Sequence, residues 1–219
     1  MKTFVALVAA LALPGLALAD QTTWNVDPMH SHSGFTVRHM VISNVRGEFG
    51  KTAGVVKLDD QDLSRSTVDV TIDAASINTR VEDRDKDLKS VNFFDVAKYP
   101  TITFKSTKIE KDGEGKLKVT GDLTMKGVTK PVVLDVEGPT PEIKDPWGNT
   151  RRGLSATTTI NRRDFGLSYS KLVEAGPVVG DEVKIDIQSE LVKEAPKAAA
   201  ADKAAAAKPA GKPAKPGAK

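Results

Sequence analysis

DPMHSHSGFTVRH, residues 27–39, contains all three histidines of the chain: His30, His32 and His39. Imidazoles at this density suit a metal site, a proton relay or the polar edge of a strand. Zinc requires three or four N/O ligands converging on one point, and Asp27, His30 and His32 supply three if this segment curls. His39 lies seven residues beyond His32, more than about 20 Å on an extended chain, too far to join them. The phase of the run puts His39 on the face of Phe35 and Val37, pointing inward, with His30 and His32 ahead of the strand near a rim. No metal is expected; hydrogen bonding to neighbouring loops is the favoured role of these histidines.

The remaining chemistry is carried by arginines and carboxylates. Arg38, Arg80, Arg84, Arg162 and Arg163 bracket the ends of periodic runs, and their forks match a pyrophosphate or carboxylate. For any one of them a surface pair with Asp83, Asp85 or Asp164 is the simpler expectation. Glu82, Asp83, Asp85 and Asp87 lack the spacing of a calcium loop and read as a solvated helix face. Trp24 and Trp147 read as packing side chains. GxSxG, P-loop, dinucleotide and HExxH patterns are absent from the sequence. With no cysteine in the chain, thiolate metal sites, iron–sulfur clusters and cysteine nucleophiles are excluded. The expectation is a protein that is not an enzyme and calls for no cofactor.

What must position these residues follows from the rest of the chain. Residues 1–19 carry Lys2, an apolar run from Phe4 to Leu18 and the small residues Ala17 and Ala19, which reads as a secretory signal peptide with the mature chain starting at Asp20. An exported chain without cysteine has no disulfide framework and depends on its core. Residues 195–219 collapse to Ala, Lys, Pro and Gly, a disordered basic tail whose favoured reading is a solvated spacer, with contact to anionic envelope surfaces as the alternative. Six tail lysines against one aspartate give +5 and Lys2 adds one more, so the net charge of +3 leaves residues 20–194 at −3. The domain offers no basic patch, and no nucleic-acid partner is expected.

Between residues 33 and 192 apolar and polar residues alternate with period two. The runs hold Phe35, Val37, His39 and Val41; Val45, Phe49, Val56 and Leu58, with a phase shift at Lys51–Gly54 that suggests a bulge; and Val68, Val70, Ile72 and Ala74. Next come Ile102, Phe104 and Ser106; Leu117, Val119, Gly121, Leu123 and Met125; and Val132, Leu134 and Val136. The last two hold Leu154, Ala156, Thr158 and Ile160, then Val183, Ile185, Ile187, Ser189 and Leu191. Residues 80–100 interrupt the pattern with a charged stretch suited to a short helix, pairing Asp83 with Lys86, followed by Phe93, Phe94 and Tyr99. The expectation is an all-β fold: eight antiparallel strands closed into a barrel, which leaves no exposed edges, with a short helical insertion over one end. Ala74, Ser106, Gly121, Ala156, Thr158 and Ser189 are too small to meet across such a barrel, which favours an apolar cavity over a filled interior.

The blocks DPMHSHSGFTVRH (27–39), VRGEFG (45–50), RDKDLKSVNFFD (84–95), YPTITF (99–104), GDLTMKGVTKPV (121–132), NRRDFG (161–166) and GDEV (180–183) resemble the YceI-like family, in family order across roughly residues 22–192. The resemblance implies a lipocalin-like eight-stranded antiparallel barrel, exported to the periplasm, that holds a polyisoprenoid or other long-chain lipid. The chain departs from the family pattern at Asp87, where many relatives carry histidine, and at Asn92, where many carry aspartate.

The combined expectation is a barrel over residues 20–194 whose ligand meets Phe35, Val37, His39, Phe49, Val70, Ile72, Phe93, Phe94, Phe104, Leu123, Met125, Ala156 and Phe165. His32, Arg38 and Arg84 are the candidates for a polar headgroup. The alternative is a metal- or pH-responsive envelope protein using the N-terminal histidines. A homodimer stays open.

Overall fold

Along Lys116–Met125 burial follows sequence residue by residue. Leu117, Val119, Gly121, Leu123 and Met125 are buried, and the residues between them are exposed or half-exposed. Period-two burial of this kind is what a strand does when one face meets a core and the other meets water. The computed structural model describes residues 21–174 and 176–195. The expected signal peptide and the tail beyond Ala195 lie outside the described residues.

In chain order the elements are β1 Thr22–Val26, β2 His32–His39, β3 Ser43–Phe49, β4 Thr52–Leu58, β5 Thr67–Asp73, β6 Ile77–Asn78, helix α1 Glu82–Lys89 and β7 Thr101–Lys111. There follow β8 Lys116–Met125, β9 Val128–Glu137, β10 Ile143–Lys144, β11 Thr150–Asn161, β12 Leu172–Val173, β13 Gly176–Pro177 and β14 Val179–Lys193. Neighbours pair antiparallel from β4 and β5 through β7, β8, β9 and β11. The ring closes through β14, which pairs β11 on one side and both β1 and β2 on the other. β4 pairs β1 and β3 pairs β2, so residues 22–39 and 43–58 form two bent staves. The wall is thus the expected closed barrel of eight antiparallel strands, and α1 is the one α-helix among the described residues.

Local deviations correct the simple phase reading. The shift near Lys51 is a break at Gly50–Lys51, where the chain passes from β3 to β4 and exchanges one neighbour for another. A bulge falls elsewhere, between Ser106 and Lys108. There Ser106 Oγ accepts a hydrogen bond from Val68 N–H at 2.8 Å, and the extra residue returns Ile109 to the inward face. Ala74 opens a 3-10 turn instead of continuing β5. β1 precedes the first alternation seen in the sequence.

The insertion does cover one end. Within α1, Lys86 pairs with Glu82 at 2.9 Å and Asp83 at 3.4 Å. Beyond the helix Phe93 is buried and meets Tyr169 with ring centroids 4.8 Å apart, while Phe94 stands edge-on to Phe49 at 5.7 Å. At the opposite end Trp24 is wholly buried with Val26, Val56, Leu58 and Leu191. Arg152 and Lys193 lie over its ring at 5.2 and 5.3 Å. Trp147, expected to pack, is exposed in a turn.

Gly121 is small for a reason other than leaving space. A Cβ there would stand 2.4 Å from Phe104 Cζ and 2.6 Å from the main-chain oxygen of Lys105, because the Phe104 ring lies across the glycine. Gly121→Ala is therefore expected to destabilise the barrel by about 1–3 kcal/mol, the cost of overpacking a filled position. Urea unfolding measures it, and an unchanged midpoint would show that the ring moves aside freely.

Candidate ligand cavity

Inward-facing side chains from every stave enclose a cavity of about 250 Å³. Val70, Ile72, Val132, Leu134, Thr158, Ile185 and Ile187 point inward yet are only half-buried, and all seven line that space. The lining is nearly all aliphatic and aromatic. Its main polar side chains are bonded to the protein itself: Ser33 Oγ lies 3.0 Å from Thr52 Oγ1, and Ser66 Oγ accepts from Asp59 N–H at 3.0 Å. Such walls favour an apolar guest and direct no strong polar contact at it.

The structure brings together at this cavity Phe35, Val37, Phe49, Val70, Ile72, Phe93, Phe94, Phe104, Leu123, Met125 and Ala156. It leaves out His39 and Phe165. His39 shares the face of Val37 but ends its strand opposite Val179 and Ser43, beyond the cavity's edge. Phe165 is buried in the 3-10 turn Arg162–Phe165, where it belongs to the surrounding core.

The headgroup candidates point away. His32 has the opposite parity to Phe35, so its ring lies outside the barrel over Gly34, with Nδ1 2.9 Å from Glu48 Oε2 and Nε2 3.3 Å from Asp186 Oδ2. Arg38 folds onto its own turn, donating from Nε and Nη2 to Val41 O at 3.0 and 2.7 Å. Arg84 donates from Nε to Thr79 Oγ1 and from Nη2 to Thr79 O, both at 2.8 Å.

The arginine that does border the cavity is Arg162, 3% exposed. It donates to Gly180 O at 2.8 Å, Val179 O at 3.1 Å, Asp181 Oδ1 at 2.9 Å and to Leu167 O. Burial lowers its pKa. With its fork committed to these acceptors, it pins the segment after β11 to the start of β14. Sequence placed Arg162 only at a barrel end; burial of a charge cannot be read from period-two spacing. Leu88 and Ile109 also line the cavity, the first hidden in a charged helix and the second put out of phase by the bulge.

Asp27, His30 and His32 do not converge on one point. His30 Nδ1 lies 2.9 Å from Asp27 Oδ2, but the third nearby group is Glu190. Between the carboxylates sits Arg151, 2.6 Å from Asp27, 2.9 Å from Glu190 and 2.7 Å from Asp145. These distances describe an ion-pair cluster tying the β1–β2 bend to β11 and β14. The hydrogen bond from Arg151 is the largest cause holding the Asp27 pKa down from 3.8 to about 2, with partial burial opposing it. A carboxylate whose folded pKa is depressed contributes stability above its unfolded pKa and loses it as pH falls through the folded value. The stability gap between the parent chain and Asp27→Asn is thus expected to be flat above about pH 5 and to shrink toward about pH 2. Urea midpoints across that range test this, and a gap independent of acid would refute it.

A closed eight-stranded antiparallel barrel, plugged by tryptophan at one end and capped by a helical insertion at the other, belongs to the class of small barrels with a hollow interior. The chain belongs to the YceI-like family: the YceI-like domain matches residues 24–191. It is 38% identical to a UPF0312 protein of Pectobacterium carotovorum over 197 residues, covering 88% of this chain and 98% of that one. A UPF0312 protein of Vibrio cholerae is 37% identical over 167 residues, 74% of this chain and 86% of its own. Among solved structures, Burkholderia cenocepacia BcnA superposes with TM-score 0.66 at 25% identity, over 75% of this chain and 98% of BcnA. The Campylobacter jejuni YCEI protein gives 0.62 at 34% identity, over 72% and 90%.

Proposed function

We propose that this protein is exported to the periplasm and holds one long apolar molecule, a polyisoprenoid or comparable lipid, inside its barrel, as a carrier or sequestering protein. The observation that carries this reading is the cavity: half-buried aliphatic side chains facing inward, with Ser33, Thr52 and Ser66 in its wall bonded within the protein. A volume of about 250 Å³ lies just under the usual range for small-molecule pockets, which suits a narrow chain better than a bulky ring system. A domain from Saccharophagus degradans described as polyisoprenoid binding shares the fold, with TM-score 0.57 at 17% identity over 79% of this chain. Its ligand class supports the choice of guest. Export rests on the N-terminal leader read from the sequence.

Chain length dominates the energetics of such a guest. Burying a five-carbon isoprene unit is worth about 4 kcal/mol gross, before ordering costs. A headgroup ion pair at a wet rim adds about 1 kcal/mol or less. Native mass spectrometry of gently extracted protein is expected to show an adduct that organic solvent releases as an apolar lipid. A metal adduct, or protein without adduct from lipid-rich cells, counts against the reading.

A further inference from the structure

The end of the barrel opposite Trp24 carries two adjoining tips that expose apolar side chains. One is the turn joining β2 to β3, where Val41 and Ile42 are 46% and 73% exposed. The other is the β12–β13 hairpin, where Leu172 and Val173 are 78% and 37% exposed. Main-chain hydrogen bonds link them: Met40 N–H donates to Val178 O at 2.9 Å, and Val178 N–H to Lys171 O at 2.9 Å. Gly176 lies so close that a Cβ there would stand 3.2 Å from Val41 Cγ2. Apolar side chains at both tips therefore form one patch. It adjoins the cavity, since Val37 and Val179, beside the same turn, both line it.

The turn is built at a cost. Met40 and Val41 both occupy the left-handed region, with φ 48 and 63, and Ile42 N–H closes the turn on His39 O at 3.1 Å. Asn-Gly serves such a turn with far less strain, and a β-branched residue serves it worst. Backbone strain and exposed apolar side chains in one turn are together what a contact surface would account for.

We propose that these tips, beside the helical insertion, dock that end of the barrel on the surface of an anionic lipid bilayer. Four side chains on two tips fall well short of the ~1,200 Å² that a stable protein interface buries, whereas a bilayer accepts a few inserted side chains. The charges fit as well. Residues 38–44 and 171–177 carry Arg38 and Lys171 against one carboxylate, Glu174, so the two tips offer a small local excess of positive charge to anionic headgroups. Arg38 is held at the tip itself by its bonds to Val41 O. The inference rests on the proposed function for its purpose, the loading or unloading of a guest too apolar to cross water.

Because the chain has no cysteine, single-cysteine labelling tests the proposal cleanly. Full-length protein carrying Ile42→Cys, Leu172→Cys or, at the closed end, Trp147→Cys is labelled with an environment-sensitive nitrobenzoxadiazole dye. Vesicles of phosphatidylethanolamine and phosphatidylglycerol are expected to shift the emission at 42 and 172 to the blue and leave 147 unchanged. Pure phosphatidylcholine should do much less. Ile42→Asp with Leu172→Asp is expected to weaken vesicle co-sedimentation at least about tenfold, since two buried aliphatic side chains are lost. Attachment with no shift at 42, as the Lys-rich tail alone would give, overturns the proposal, and so does an equal shift at 147. Lipid extracted from parent and double variant should be the same. If both barrels prove empty, the cavity reading fails and the dye shifts decide the docking by themselves.

Discussion

Val70→Phe combined with Thr158→Phe is expected to leave the barrel folded and to weaken binding of a long apolar guest at least about a hundredfold. Val70 lies on β5 and Thr158 on β11, strands on opposite sides of the ring, and both line the cavity while half-buried. New rings at these positions enter open space, unlike a side chain at Gly121, which meets Phe104 and a main-chain oxygen. They occupy the volume in which a chain would gain its transfer energy. Titration with a fluorescent long-chain amphiphile gives the affinity, and thermal unfolding checks the fold. A folded double variant that binds as the parent does would place the guest outside the barrel. Loss of folding would show that these side chains have no space to enter.

Arg162→Met is expected to cost about 3 kcal/mol of unfolding free energy. Methionine fills comparable volume but leaves Gly180 O, Leu167 O and Val179 O without a donor, in a place where water reaches only 3% of the arginine surface. Asp181 keeps Arg163, 2.7 Å away, so the loss falls mainly on the carbonyls. Arg162→Lys should recover only part of it, because an ammonium cannot match acceptors arranged around a planar fork. Urea unfolding measures both. Hydrogen exchange at Leu167 and Gly180 should quicken ahead of the strands near Trp24. A penalty below about 1 kcal/mol for methionine would mean that the carbonyls find other donors.

The sequence made the wall legible because a strand with one wet face writes its burial in alternate residues. β8 follows that code throughout and β9 follows it from Val132 onward, and β11 and β14 follow it along their inward faces. Alternation says which face a residue occupies and nothing about its neighbour or its distance from the end. His39 therefore shares the parity of Phe35 and Val37 but ends its strand beyond the cavity's edge, and His32 has the opposite parity and meets Glu48 and Asp186. The bulge at Ser106–Lys108 shifts the code by one residue without any glycine or proline to announce it. Arg162 was visible as an arginine near a barrel end, but its role depends on carbonyls of residues 167, 179 and 180, which only the folded chain brings around it. The Asp27–Arg151 pair spans 124 positions and has no local signal.

The Trp24 plug has a consequence for how a guest is measured. Trp24 is fully buried among Val26, Val56, Leu58 and Leu191, and Arg152 and Lys193 lie over its ring. A chain that entered a tube closed at the Trp24 end would go in tail first and back out head first, always in the same orientation. The barrel would then act as a ruler: tails shorter than the distance from the helical insertion to Trp24 would leave wall uncovered, and longer ones would leave their surplus outside. Affinity across a homologous series should climb with each added unit and then level off, and the break in that curve reads the depth of the tube.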